Sequence, residues 1–269
     1  MSMRHLPALL ALLLATAPQA QIAVRSALSD DRDAAAGATY EGTVTVANTS
    51  DQAQQAKVYL TDYHFEADGT NAYDAPGSRA RSNAAWVRFT PNVLTLPPGE
   101  SGAVQYTVTV PPEAGEAGGS FWSLLMVESV PPDAPESTLG EGRDAPIYGV
   151  RSVTRYGVQI ATHVRGTGAV GVDFARTEVV PGDGGGHRLH VDVANTGTRM
   201  VRPEVWAEVF DDAGVSRGRL HGAESRIYPG TSVRQVFDLG ALPRGTYKAL
   251  VVVDAGGDHA YGAEYVLDL

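Results

Sequence analysis

Few groups in this sequence are spaced to do chemistry. There is no cysteine, which removes thiol nucleophiles, disulfides and cysteine-ligated metals together. His187 and His190 stand three apart; on a strand they point to opposite faces and make a poor metal pair. No HExxH, GxSxG, SxxK or P-loop pattern occurs. Gly184-Gly185-Gly186 follows Asp183 and reads as a hairpin turn, because a phosphate cradle needs a helix after it. Asp30-Asp31 and Asp211-Asp212 fall at expected turns or termini, where acidic pairs are solvated; glycosidase chemistry needs two carboxyls facing one cleft. Asn48-Thr49-Ser50 spells a glycosylation sequon. It reads more simply as a strand-ending turn, since Asn195-Thr196-Gly197 holds the same place later in the chain without the sequon. Nothing here supports an enzyme, a metal or a cofactor.

The informative stretch is 147–165, IYGVRSVTRYGVQIATHVR. Successive side chains of a strand point to opposite sides. Tyr148, Val150, Tyr156, Val158, Ile160 and Val164 then form an apolar face, and Arg151, Arg155, Gln159, His163 and Arg165 a basic one. Charged outer faces are ordinary on antiparallel sheets, so one reading is a last sandwich strand with a solvated side. The functional reading is an exposed edge that pairs with another chain: main-chain amides give affinity and alternating apolar contacts give register. Arg155 or Arg151 then holds a carboxylate, for which a guanidinium fork is better suited than Lys.

The elements around this stretch read as β throughout. The 269 residues carry a formal net charge of −10, which argues against nucleic-acid binding, since phosphate contacts need surplus Lys and Arg. Hydrophobic residues make up 43%, enough for real cores, and 30 Gly with 16 Pro indicate many turns. Residues 1–20, MSMRHLPALLALLLATAPQA, have the layout of a secretory signal peptide, with cleavage expected after Ala20. The apolar run there is too short to span a bilayer, so the mature chain is expected to be exported and soluble, periplasmic or secreted.

Two stretches of the remainder repeat. VTVANTSDQAQQAKVYLTDYHFEADG (44–69) matches VDVANTGTRMVRPEVWAEVFDDAG (191–214). Further on, Leu96–Ser101 matches Ile227–Ser232, and Gly119-Ser120-Phe121 matches Gly245-Thr246-Tyr247. Period-2 alternation broken by Pro-Gly turns gives six or seven antiparallel strands per copy, the dimensions of an immunoglobulin-like sandwich. The fold class expected is all-β, with tandem immunoglobulin-like β-sandwich domains at 21–166 and 167–269. Strands are expected near 22–28, 40–48, 56–65, 86–89, 92–96, 102–110, 120–129 and 147–165, then 169–179, 187–194, 202–210, 218–227, 232–239, 245–253 and 260–267. Glu113 to Ala117 allows one helical turn. Gly166-Thr167-Gly168 reads as a flexible joint, and 66–85 and 131–146 as long loops. Trp86, Trp122 and Trp206 fall on strands as packing residues, Trp122 against the opposite sheet.

Four segments of the first domain resemble the N-terminal domain of periplasmic pilus chaperones of the chaperone–usher type. These are VTVANTS, TPNVLTLPPGESGAVQYTV, SFWSLLMVE, and the loop leading into VTRYGVQIATHV. The resemblance implies two sandwiches at an angle with a cleft between them. It also implies a last strand of domain 1 lent to an incomplete pilin subunit, and basic residues anchoring that subunit's C-terminal carboxylate. On this sequence the anchor falls on or near Arg155, with Arg25 (or Arg32) as its partner on the first strand, and Val150, Val153, Val158 and Ile160 bracket the donated segment. The family's last strand ends in an apolar-Tyr-Arg-Pro pattern, where this chain has YGVQIATHV. The first domain also resembles the extracellular segment of WxL-interacting surface proteins, although the C-terminal membrane helix usual there has no counterpart in YVLDL. The expected function is therefore a non-enzymatic exported protein that binds a secreted or pilin-like polypeptide by strand addition. Its rival is a structural or adhesive envelope module whose loops touch a polymer or receptor.

Overall fold

The computed structural model describes residues 21–131, 134–135, 137–139 and 153–269. Residues 1–20, expected to be a signal peptide, and Tyr148, Val150 and Arg151 lie outside them. The first sandwich contains β1 (Ile22–Val24), β2 (Ser29–Ala34), β3 (Thr39–Asn48), β4 (Gln54–Phe65), β5 (Asn71–Asp74), β6 (Val87–Thr90), β7 (Val93–Leu96), β8 (Ser101–Thr109), β9 (Ser120–Val130) and β10 (Arg155–Val164). The second contains β11 (Val172–Pro181), β12 (His187–Asn195), β13 (Glu204–Phe210), β14 (Ser216–His221), β15 (Ser232–Gly240), β16 (Thr246–Asp254) and β17 (Ala260–Asp268). One short helix, α1 (Ala114–Ala117), sits at the expected turn.

Each sandwich is two sheets. In the first, the order β1-β3-β8-β6 faces β2-β10-β9-β4-β5, with β7 also paired to β4. In the second, β11-β12-β15 faces β14-β13-β16-β17. The alternating valines do what period 2 demands. Val44, Val46, Val104 and Val108 from one sheet meet Val58, Leu125, Val127, Val158 and Ile160 from the other. The second core is built likewise from Leu189, Val191, Val193, Phe237, Ala249, Val251 and Val253. The all-β, tandem immunoglobulin-like architecture expected from the sequence is the one observed.

The repeat has a physical basis. Asn48 and Asn195 are both buried. The Asn48 side-chain amide donates to the carbonyls of Gln52, Leu96 and Pro97, and its oxygen accepts the Ser50 N–H. The Asn195 amide donates to the carbonyls of Arg199 and Ile227, and its oxygen accepts the Gly197 N–H. Each Asn ties its own turn to the Pro-Gly turn of the matching later segment, which is why both motifs repeat together. The Asn48 nitrogen is thus consumed inside the fold, as the turn reading of Asn-Thr-Ser requires.

Candidate functional site: an open strand edge beside the inter-sandwich cleft

β10 is antiparallel to β9 along its length, Arg155 opposite Glu128 and His163 opposite Ser120. On its other flank it is parallel to β2, but only from Gln159, opposite Ser29, to Val164, opposite Ala34. The Ser129 N–H donates to the Thr154 carbonyl, so even-numbered residues of β10 turn their main chain toward β9. Odd-numbered ones turn toward the β2 flank, as the bond from the Gln159 N–H to the Leu28 carbonyl shows. β2 begins too late to serve Arg155 and Gly157. Among the described residues no strand pairs with that flank, and exposed Leu28 and Val153 stand beside it.

The expectation of a ribbon open from Tyr148 to Val164 is therefore corrected: from Gln159 onward both flanks are occupied. Val158 and Ile160 are corrected as well. They face the opposite sheet, not a guest, and belong to the core. The alternation was right, and the apolar face it identified is the sandwich interior. Val153 is exposed; Val150 and Arg151 lie outside the described residues.

Arg155 stands on the outer face of β10 with its side chain 61% exposed and its Nε 2.7 Å from a Glu128 oxygen. Glu128 is buried and also receives the Tyr59 hydroxyl at 2.7 Å and the Lys57 ammonium at 3.0 Å. Burial pushes its carboxyl up, but Tyr59, Lys57 and Arg155 together hold it below the ordinary glutamate value. Arg155 is thus oriented by an internal carboxylate while most of its side chain stays exposed. Arg25 is exposed and follows β1 in the opposite sheet, its N–H bonded to the Thr45 carbonyl. Arg32 pairs with Asp30 at 2.7 Å. No bond joins either of them to Arg155 among the described residues.

The sandwiches meet in a packed seam that the sequence reading missed. Asp31, expected to be solvated, has a side chain only 14% exposed. It accepts the Tyr228 hydroxyl at 3.0 Å, pairs with Arg202, and lies 3.4 Å from Arg226 Nε. Asp33 pairs with Arg199 at 2.9 Å. Trp122 points out of its own sandwich, not into it, and stacks on Tyr228 with ring centroids 4.7 Å apart. Its indole N–H bonds to the Tyr63 carbonyl. On the far side of the seam the Ala67 N–H donates to Ser232 Oγ, and Ser232 donates to Glu66.

The joint is not the flexible tether its glycines suggested. Gly119, at φ +84, lies so close to Thr198 that an added Cβ would fall 1.9 Å from its carbonyl oxygen. Thr167 bonds to the Val164 carbonyl and to the Gly119 N–H. In the joint itself a Cβ on Gly168 would fall 2.5 Å from Gly119 Cα, so Gly119 and Gly168 serve close approach of backbone to backbone, whereas Gly166 has nothing within 4 Å.

Ser120, His163 and Asp31 fall in the order of a hydrolytic triad. Ser120 Oγ lies 2.8 Å from His163 Nδ1, and His163 Nε2 lies 3.8 Å from Asp31. Nucleophilic catalysis needs a reachable hydroxyl. Ser120 is fully buried, and its oxygen already accepts the Met200 N–H from the other sandwich. With its bond to His163 Nδ1, the group pegs the seam.

Between the sandwiches lies a cleft of about 860 Å³, lined on one side by Phe65 and Gln159 and on the other by Arg202, Arg226, Glu224 and Tyr228. Gln159 Nε2 is buried there without a hydrogen-bond partner. The open end of β10 leads into this cleft through Gln159. Among the described residues no helix is long and apolar enough to cross a membrane.

No family model matches the chain, and no curated protein matches it. Solved structures do. One, described as a chaperone–tip adhesin complex vital for synergistic activation of CFA/I fimbriae biogenesis, is 15% identical over 92% of this chain and 98% of that one, with a TM-score of 0.48. The class 5 fimbriae chaperone CfaA is 13% identical over 91% and 98%, with a TM-score of 0.44. The CsuC–CsuE chaperone–tip adhesion subunit pre-assembly complex from the archaic chaperone–usher Csu pili of Acinetobacter baumannii is 13% identical over 91% and 98%, with a TM-score of 0.43. The chain is thus similar to chaperone–usher pilus chaperones across about nine-tenths of its length, and at such identities the likeness is one of fold.

Proposed function

We propose that this protein is an exported, periplasmic or secreted, non-enzymatic holder of a partner polypeptide, which it binds by β-strand addition at the N-terminal half of β10. The observation that carries the reading is the unpaired flank at Arg155 and Gly157, where β2 stops short. An incomplete pilin-like subunit has an unsatisfied strand edge of its own, and pairing the two edges suppresses its aggregation. Arg155, exposed and pre-oriented by Glu128, is the anchor for a client carboxylate. Val153 and Leu28 supply apolar contact beside the edge. Val150 and Arg151, expected to take part from the sequence, lie outside the described residues; Arg25 provides a second cation at the edge of the opposite sheet. No nucleotide is needed, because the client leaves by exchange with a competing strand. The seam and cleft favour this reading over a spacer module, which works best with its sandwiches extended.

The test uses a pilin-type immunoglobulin-like subunit lacking one strand, diluted from denaturant with and without the protein and followed by light scattering and amide hydrogen exchange. Scattering is expected to be suppressed at equimolar ratio, with new protection at the Arg155 and Gly157 amides. Arg155→Ala is expected to weaken binding of the subunit by removing its carboxylate anchor, while costing under about 1 kcal/mol of stability, since Arg155 is an exposed partner in its ion pair. Undiminished scattering together with unchanged exchange at those amides would remove the reading.

A further inference from the structure

Gly157 sits in the middle of the open flank, and its missing side chain has an address. A Cβ built there would lie 3.0 Å from Leu124 Cδ1 and 3.3 Å from Met126 Sδ. The absent side chain belongs to the outer face of the sheet, where Leu124 and Met126 of β9 lean over the glycine at tight contact distance. Leu124 and Met126 are both 6% exposed, yet neither belongs to a core cluster of either sandwich. They form an apolar floor on the face that an antiparallel sheet ordinarily gives to water. Two residues earlier, on the same face, stands Arg155, whose side chain is largely exposed beside Glu128.

A strand laid along this flank places its own side chains opposite those of β10 on the same face. Opposite Gly157 a guest side chain meets no neighbour of its own row and leans across the glycine onto Leu124 and Met126. Large rings fill the space beside a strand glycine in this way. Two residues along, the guest side chain faces a guanidinium.

Resting on the strand-addition reading above, we infer that the partner is an extended segment carrying an aromatic or large aliphatic side chain two residues from an acidic one, the first seated over Gly157 and the second on Arg155. Gly157 then sets the register of the guest, and Arg155 sets its charge.

The test uses the full mature chain and synthetic octapeptides of Thr and Ser in which a single Phe is scanned along the sequence, with an all-Thr/Ser control. Binding is followed by calorimetry and by amide exchange at Arg155 and Gly157. One Phe position is expected to bind about tenfold or more tighter than the control, as burial of one large apolar side chain implies. An Asp two residues from that Phe is expected to tighten binding again, and Arg155→Ala to remove that second gain alone. Gly157→Ala is expected to abolish the Phe preference while the control peptide binds as before. Met126→Ala, which deepens the floor without changing any residue of β10, is expected to shift the preference from Phe to Trp and decides the matter if Gly157→Ala does not fold. A flat Phe scan among peptides that do protect the two amides would overturn the inference and leave strand addition standing. Peptides that protect neither amide would remove strand addition itself.

Discussion

Asp31 is the residue whose loss tells most about how the two sandwiches are held. Asp31→Ala strips the acceptor from the Tyr228 hydroxyl, and Tyr228 is only 1% exposed. Leaving that hydroxyl unpaired costs about 1–3 kcal/mol. The ion pairs add less. Arg202 and Arg226 are 51% and 38% exposed, so solvent screens both, and together they contribute on the order of 1 kcal/mol. The expected loss is about 2–4 kcal/mol, which for a chain of this length lowers the melting temperature by roughly 5–10 °C. The calorimetric scan is paired with small-angle scattering, in which the variant shows a wider spread of distances as the seam loosens. Tyr228→Phe keeps the ring on Trp122 and loses only the hydroxyl, so its cost is about 1 kcal/mol. Combined with Asp31→Asn it is expected to cost less than the sum of the two, because they remove one shared bond. Acid gives an independent check. Burial raises the Asp31 carboxyl, but His163, Tyr228, Arg226 and Arg202 outweigh it and hold the group below its ordinary value. A depressed carboxyl stabilises the fold fully above its unfolded pKa of roughly 3.9 and stops doing so as pH falls through the folded value. The gap in melting temperature between wild type and Asp31→Asn is thus constant from about pH 5 to 7 and shrinks in stronger acid. An Asp31→Ala protein that melts and scatters like wild type, or a gap that widens in acid, refutes this account of the seam.

Two further outcomes follow from the same geometry. Asn48→Ala and Asn195→Ala each orphan buried carbonyls, so each lowers stability by about 2–3 kcal/mol in urea titrations; Asn48→Ala costs more, because that amide donates three bonds against two. Gly119→Ala forces a Cβ against the Thr198 carbonyl at positive φ, and is expected to cost 3 kcal/mol or more and to separate the sandwiches in scattering, whereas alanine at Gly77, which is also at positive φ but has nothing near it, costs only about 1 kcal/mol.

What the sequence reveals here follows what burial writes into it. Strands with one face in a core show period 2, so β3, β4, β8, β12 and β16 are legible to within two residues. The Asn-Thr and Pro-Gly turns are legible because the chain uses the same hydrogen-bonded tie twice. β2 was invisible. Its sequence, SDDRDA, has no apolar alternation, because neither of its faces is an apolar one. Asp31 and Asp33 turn to the arginines of the second sandwich, while Asp30 accepts the Tyr106 hydroxyl and pairs with Arg32. Period 2 is present there, but it is written in hydrogen-bond partners. Trp122 was misplaced for a related reason. On β9 nearly every residue is buried, one face by the core and the other partly by the seam, so hydrophobicity alone does not say which way a side chain points. The glycines of the joint look the same in sequence whether they are loose or tightly approached.

β2 also explains why the candidate site lies where it does. Its side chains bolt the second sandwich to the first, and its main chain seals β10 from Gln159 onward. The first residue of β2 therefore fixes both the end of the open edge and the start of the seam. A strand beginning four residues earlier would close the flank at Arg155 and Gly157, and one beginning four residues later would give up Asp31. The same six residues hold the cleft rigid and leave the edge beside it exposed. On the proposed reading, a guest strand at Arg155 and Gly157 ends where β2 begins opposite Gln159, whose side chain lines the cleft. Its two contact surfaces, strand edge and cleft wall, are thus held at a fixed spacing before the guest arrives. Preorganisation of this kind lowers the ordering cost of binding an extended polypeptide.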